Sequence, residues 1–339
     1  MIPTKDQRDA IACLEQRSHD WFRARLGCVT GSCVSYITRP GEAEKALVKA
    51  LNAGPLVIEG KRDFNARINP LKKTDMEAYE KALAEGPKKE SEQEFKERID
   101  ELREQFKANP FSEGTLSYLY ELAAERNLRD VFVKDEELFN QYLMRTSVSS
   151  NAIRWGEETE AMARLQYSRL TGNEVVEIGF YRHPTVDWYG DSPDGLVVDK
   201  VSGRPEGSIE IKCPKSQTWI EYRHKFTQVE RIYNSYVKEY MESHPEIDSD
   251  AFTEDLLPKE KRLSFMNAET LKSIKMEYYW QCQSHCECHN VDWCDFIVYD
   301  QMQKGEMIVV RIYRNQEDID LLLNRIEMAN DYIENEILA

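Results

Sequence analysis

Residues 191–214, DSPDGLVVDKVSGRPEGSIEIKCP, place Asp194 ahead of the triplet Glu210-Ile211-Lys212. Successive side chains of a strand point to opposite faces. A strand over 208–212 therefore puts Glu210 and Lys212 on one face and turns Ile209 and Ile211 into a core. Two carboxylates and an ammonium can then converge on one point. Hard carboxylates suit Mg²⁺, which takes oxygen ligands and keeps several waters. A lysine beside them can orient or deprotonate one of those waters. The constellation fits metal-assisted hydrolysis of a phosphodiester.

Around this stretch, strands are expected over 175–181, 187–191, 195–199 and 208–212, with 200–207 a loop punctuated by Gly203, Pro205 and Gly207. Trp155 to Leu170 reads as a helix, closed by the C-cap signal Thr171-Gly172-Asn173. Further helices are expected over 114–127, 135–145 and 276–290, and strands near 294–299 and 307–313 around Lys304-Gly305. A last amphipathic helix starts at Asn315 with Asp318 and carries Ile319, Leu322, Leu323, Ile326 and Ile333. Residues 5–38 open with a helix-like pattern, and Thr30-Gly31-Ser32 reads as the entry to a short helix.

Two segments exceed what such a core requires. Residues 56–110 are dense in Lys and Glu, broken by Gly86-Pro87 and closed by Asn109-Pro110. Their stripe Phe95, Ile99, Leu102, Phe106 has helical spacing, so they read as one or two helices inserted into a core fold. Residues 217–276 read as helical and polar, with loops near His244-Pro245 and Pro258. The expected organisation is a single domain over 1–339, with mostly helical insertions at 40–150 and 217–276.

A chain of 339 residues with 41% hydrophobic content can build a real core. Its net charge of −16 is unusual for a protein that grips phosphates, which normally leans on Lys and Arg. Total charge does not exclude a local basic groove, because carboxylates loaded with metal form a positive site. Met1-Ile2-Pro3-Thr4-Lys5 leads into a polar segment and not into a signal peptide, and no apolar run reaches membrane-span length. Eight scattered cysteines without a secretory signal point to a reducing cytoplasm.

Ser192-Pro193-Asp194-Gly195 followed by Glu210-Ile211-Lys212-Cys213-Pro214 resembles the lambda-exonuclease-like nucleases, also called the YqaJ-type viral recombinase family, of the PD-(D/E)xK nuclease superfamily. The resemblance implies an α/β restriction-endonuclease-like core, a mixed central sheet flanked by helices, with helical insertions. It assigns Asp194, Glu210 and Lys212 as catalytic, and Asp194, Glu210 and the carbonyl of Ile211 as metal ligands. The family's Trp-Gly-x-x-x-Glu helix is matched by Trp155 to Glu160, which makes Glu160 a further carboxylate at the metal. Ordinary helix-start acidity would account for Glu157 and Glu158. The metal site would lie where two neighbouring strands and the Trp155 helix meet.

Trp21 to Ser32, WFRARLGCVTGS, is similar to the motif that holds the terminal 5′ phosphate in that family. Arg25 and Ser32 take those places, with Ser192 as a third candidate. A guanidinium grips phosphate in a bidentate way, and a helix start offers free N–H donors. The plainer readings are a surface salt bridge for Arg25 and an N-cap for Ser32. Tyr278 and Gln281 match the family's Tyr-x-x-Gln helix beside the metal and share one helical face. Packing alone accounts for Tyr279 and Trp280.

Cys282, His285, Cys286, Cys288, His289 and Cys294 fall close together but have neither a C-x2-C pair nor the His-Glu-x-x-His zinc pattern. Buried cysteines acting as small hydrophobes are the favoured reading. His285, one turn beyond Gln281, could still reach DNA. An arginine that some members place shortly after Cys-Pro is not matched, since Gln217 and Thr218 stand there; Arg223 or Lys215 would have to replace it.

The resemblance implies a Mg²⁺-dependent deoxyribonuclease, with Mn²⁺ as a substitute, that degrades one strand of duplex DNA ends from 5′ to 3′ in phage-type recombination. It also implies a ring-shaped homo-oligomer, a single-strand annealing partner, a bacterial host cytoplasm and no membrane. A structure-specific or defence endonuclease, or an inactive DNA-binding scaffold, are the alternatives.

Overall fold

The computed structural model describes residues 4–146, 151–304 and 306–339, without the side chains of 151–154 and 157. Met1-Ile2-Pro3, Gly305 of the expected turn and the Glu157 side chain lie outside the described residues. Among the described residues, eight strands are formed: β1 (Val29–Thr30), β2 (Glu174–Val176), β3 (Tyr181–Arg182), β4 (Tyr189–Asp191), β5 (Gly195–Val198), β6 (Pro205–Lys212), β7 (Trp293–Tyr299) and β8 (Met307–Tyr313). They build a five-stranded sheet of order β2-β5-β6-β7-β8 and a three-stranded sheet of order β1-β4-β3. The larger sheet is mixed: β6 and β7 run parallel, and the other pairs are antiparallel. With helices on both faces, this is the expected α/β class with a mixed central sheet.

The faces of β6 decide what lies where. Ile209 and Ile211 are buried with Ala163 and Tyr167 of helix Asn151–Thr171 and with Ile297 of β7. The opposite face, which carries Glu210, is covered by helix Leu263–His289. A backbone break at Lys275 (φ −160, ψ 102) divides that helix close to the expected start at 276. The closing helix, Gln316–Tyr332, is capped by Asn315 through the N–H of Asp318, and Ile319, Leu322, Ile326 and Ile333 are fully buried.

Two strand expectations are corrected. The run 175–181 does not form one strand: its start, β2, belongs to the larger sheet, and β3 begins the smaller one at Tyr181. The expected loop 200–207 is shorter, because β6 already begins at Pro205. A register shift between Val197 and Val198 accommodates the extra residue, as a β-bulge does. Gly207 fits there because the Trp293 indole lies over it; a Cβ would sit 2.4 Å from the ring.

Residues 39–116 form a compact unit of their own, separate from residues 1–38 and 117–339. In place of the one or two helices expected over 56–110, the unit has Lys61–Ile68, Leu71–Thr74, Met76–Glu85 and Glu92–Ala108, preceded by Glu42–Ala53. Asp75 and Ser91 act as N-caps that restart the chain as a helix. Two matched clamps close the unit. Glu59 accepts both arms of Arg67 at 2.8 and 2.9 Å, and Glu90 accepts both from Arg98 at 2.8 Å. Each carboxylate also accepts a backbone N–H, from Lys88 and Leu56 respectively. Among the described residues, no helix is long and apolar enough to cross a membrane.

Candidate active site

Strand β6 delivers Glu210 and Lys212 to a cavity of about 190 Å³, as its alternation requires. Asp194 reaches the same cavity from the entry to β5. Its backbone N–H donates to the Ile209 carbonyl at 3.2 Å, and its Oδ2 accepts the Ile211 N–H at 2.6 Å. Arg25, Ser32, Ser192 and Gln281 line that cavity too, from three segments far apart in sequence. The Trp21 indole N–H donates to Ser192 Oγ at 3.1 Å, tying two of these segments together. Ser32 Oγ lies 3.2 Å from Thr30 Oγ1, in the short turn Gly31–Cys33.

Two expected residues, Glu160 and Tyr278, are absent from the lining of that cavity. Glu160 is buried, but its oxygens are taken by Arg17 at 2.6 Å and Arg164 at 2.8 Å, and it does not line the cavity. The cause is the period of β6: the Trp155 helix covers the Ile209/Ile211 face, not the face that holds Glu210 and Lys212. Tyr278 lies under the site: the ammonium groups of Lys212 and Lys275 sit 5.0 and 4.6 Å from its ring centre. The Ile211 side chain packs in the core, as its place in β6 requires, and its N–H donates to Asp194. Neither Arg223, paired with Glu306, nor exposed Lys215 lines the cavity.

The charges pull one another in opposite directions. Burial, then Glu210 and Glu160, push the Asp194 carboxyl up to about 8, against the pull of Lys212 and the Ile211 N–H. Burial also works against ionised Glu210, but Lys212 and His285 outweigh it and hold that carboxyl below its ordinary value. For Lys212, burial favours the neutral amine, yet Glu210 and Asp194 win and raise its pKa above that of an ordinary lysine. Lys212 is therefore a fixed cation here, hydrogen-bonded to Glu210 Oε1, and not a ready proton acceptor.

Arg25 stands out among the cations. Its guanidinium lies over the Trp21 ring at 3.9 Å and 5.8 Å from the Phe180 ring. Burial lowers its pKa against the pull of Cys33, Tyr118 and Asp191. No carboxylate among the described residues forms an ion pair with it, so the expected alternative of a surface salt bridge does not apply.

His285 lines the same cavity as Gln281, with its ring held inside the protein. It is 2% exposed and lies between two carboxylates. Nδ1 is 2.5 Å from Asp191 Oδ2, and Nε2 is 2.7 Å from Glu210 Oε2. Burial alone would lower its pKa, but the flanking carboxylates raise it well above the usual histidine value. The available signal was its i, i+4 relation to Gln281, which puts both on one helical face. Cys282, Cys286, Cys288 and Cys294 are all buried, and burial pushes the first three thiols up.

The oxygen donors fit a hard divalent cation. Asp194 and Glu210 share a cavity with Gln281, whose buried amide oxygen has no hydrogen-bond partner among the described residues. Burial raises Asp194 most, and the added repulsion from Glu210 and Glu160 is the kind a cation relieves. The set is not prearranged: among the described residues, no three His, Cys, Asp or Glu side chains converge as a ready metal site.

No curated protein matches the chain. Over 95% of both chains, it is similar to an alkaline exonuclease (LHK-Exo) from Laribacter hongkongensis, at 21% identity and a TM-score of 0.47. The structure of LHK-Exo in complex with dAMP gives 22% and 0.48 over the same shares. A phage related exonuclease from Haemophilus somnus 129PT gives 14% and 0.41, over 68% of this chain and 86% of that one. Residues 102–243 match the profile of the YqaJ-like viral recombinase domain. That segment contains Glu160, Asp194, Glu210 and Lys212, the residues that carried the resemblance in the sequence. Over that segment, less than half of its length, the chain is similar to the YqaJ-like viral recombinase domain.

Proposed function

We propose that the protein is a Mg²⁺-dependent exonuclease that degrades one strand of linear duplex DNA from 5′ to 3′, in homologous recombination by end resection. One observation carries this reading: Arg25, without a carboxylate partner, lines the same small cavity as Asp194, Glu210 and Lys212. A guanidinium kept free of anions beside buried acids is suited to a terminal phosphate.

In this reading, Arg25, Ser32 and Ser192 bind the 5′ phosphate and so set the polarity. Asp194 and Glu210, with the Ile211 carbonyl, would hold the cation, and Glu160 joins them only by releasing Arg17 or Arg164. A divalent cation bound there supplies Lewis-acid stabilisation of charge on the phosphate and the leaving oxygen. Lys212 orients the attacking water with its fixed positive charge, and the Tyr278 ring supports that ammonium. Gln281 offers its unpartnered amide oxygen to the same water. Mn²⁺ substitutes for Mg²⁺ as another cation accepting oxygen donors. We further propose that residues 39–116 are an insertion in the nuclease domain. In this reading the chain acts as a homo-oligomer, with an annealing protein, in the host cytoplasm.

The test is digestion of linear duplex DNA bearing 5′-phosphate or 5′-hydroxyl ends, with closed circles as control, in Mg²⁺, in EDTA, and with Lys212→Ala. Loss of only the 5′-phosphorylated strand, dependent on Mg²⁺ and Lys212, is the expected result. Cutting of circles would move the protein to an endonuclease, and no cutting under any condition would move it to a scaffold.

A further inference from the structure

Asp191 and His285 take no part in that reading, yet both are almost completely buried beside it. Burying a carboxylate–imidazole–carboxylate chain is costly, and well-packed apolar side chains would usually be no less stable. What the chain does geometrically is specific. Carboxylate oxygens face both ring nitrogens of His285, so the ring donates from each. One donor engages Glu210 Oε2, while Lys212 engages Glu210 Oε1. Each oxygen of Glu210 thus has its own cationic donor, which fixes the carboxylate plane.

Asp191 is braced in turn. It closes β4, pairs with Tyr181 of β3, and its Oδ1 lies 3.4 Å from Ser284 Oγ. It fits against the backbone of Gly31, where a side chain would collide with Oδ1 at 1.7 Å. The second imidazole, His289, stands 3.4 Å from Asp191 Oδ2. Strand β4, the Gly31 turn and helix Leu263–His289 therefore all bear on the position of one carboxylate.

We propose that His285, braced by Asp191, is a positioning residue that fixes which oxygen of Glu210 faces the cavity. The proposal rests on the nuclease reading through Glu210. It withholds Oε2 from the cavity and leaves Oε1 to be shared between Lys212 and a cation. Partners of this kind, one step behind a ligand, typically change metal affinity or activity by about 10–100-fold when removed.

The test uses the full chain and its variants His285→Ala, His285→Gln and Asp191→Asn, each checked for folding by circular dichroism. Mn²⁺ affinity is measured by calorimetry without DNA, and single-turnover cleavage of linear duplex separately. His285→Ala should lose roughly 10–100-fold in both readouts, while affinity for a 5′-phosphorylated oligonucleotide in EDTA stays unchanged. His285→Gln, which keeps one N–H donor, should recover part of the loss. If His285→Ala does not fold, Asp191→Asn decides, with a several-fold weaker Mn²⁺ affinity expected. Folded variants that bind Mn²⁺ and cleave like the parent overturn the positioning role alone. A parent that neither binds Mn²⁺ nor cleaves DNA overturns the nuclease reading, and the positioning role with it.

Discussion

The guanidinium of Arg25 rests 3.9 Å from the Trp21 ring, and the same indole donates its N–H to Ser192. One aromatic side chain thus sets two of the groups proposed to hold the 5′ phosphate. A cation–π contact contributes about 1 kcal/mol, less than the several kcal/mol needed to desolvate a charge. The imbalance favours any anion that enters. Arg25→Gln should reduce the preference for 5′-phosphate over 5′-hydroxyl ends by about tenfold to a hundredfold, the value of a charged hydrogen bond or two. Arg25→Lys should recover only part, since an ammonium lacks the planar fork. Competition between the two kinds of end measures this directly.

Asp194 makes stability depend on pH in a definite direction. Its folded pKa is raised to about 8, so its contribution is complete below the ordinary carboxyl value near ~3.9 and is lost as pH rises toward 8. In EDTA, the melting temperature should fall from pH 5 to pH 8, and Asp194→Asn should flatten that fall. Adding Mg²⁺ at pH 7.5 should raise the melting temperature and release protons. An unchanged pH slope in Asp194→Asn would refute the assignment.

Gly31 is required by contact, not by its backbone angles. Its Cβ would fall 1.7 Å from Asp191 Oδ1 and 3.1 Å from Ser284 Oγ. Gly31→Ala should cost about 1–3 kcal/mol through overpacking. It should also displace Asp191 from His285. Urea denaturation gives the first quantity, and the His285 ring resonances in NMR report the second.

The clamps of the 39–116 unit titrate in the opposite sense. Arg67, then the Lys88 N–H, hold Glu59 at about 2; Arg98 and the Leu56 N–H do the same for Glu90. Their contribution is present above the ordinary glutamate value near ~4.3 and is lost as pH falls toward 2. Hydrogen exchange in residues 56–98 should therefore accelerate between pH 4.5 and pH 2, beyond the intrinsic pH effect. Glu59→Gln with Glu90→Gln should make it fast already at pH 5. Protection unchanged in the double variant would show that the clamps hold nothing.

Much of this was readable in the sequence where periodicity carries it. The alternation of β6 put Glu210 and Lys212 on one face and the isoleucines on the other, and the helices 92–108 and 316–332 followed from their apolar stripes. The division of 175–181 was not readable, because side-chain period does not register a chain crossing from one sheet to another. The true partners of Glu160 and His285 were hidden for a different reason. Arg17 and Glu160 are 143 residues apart, and Asp191 and His285 are 94 apart. Each side chain on its own looks like an ordinary surface acid or a core histidine, and only the fold brings the partners together.

Strand β6 leaves little room for independent change. A slip of one residue in its pairing would send Glu210 and Lys212 into the oily side and bring Ile209 and Ile211 to the cavity. Parity along eight residues is therefore inherited whole: any lineage that keeps the core keeps the carboxylate and the ammonium side by side. An odd insertion between Ile209 and Lys212 would end both the fold and the chemistry in one event.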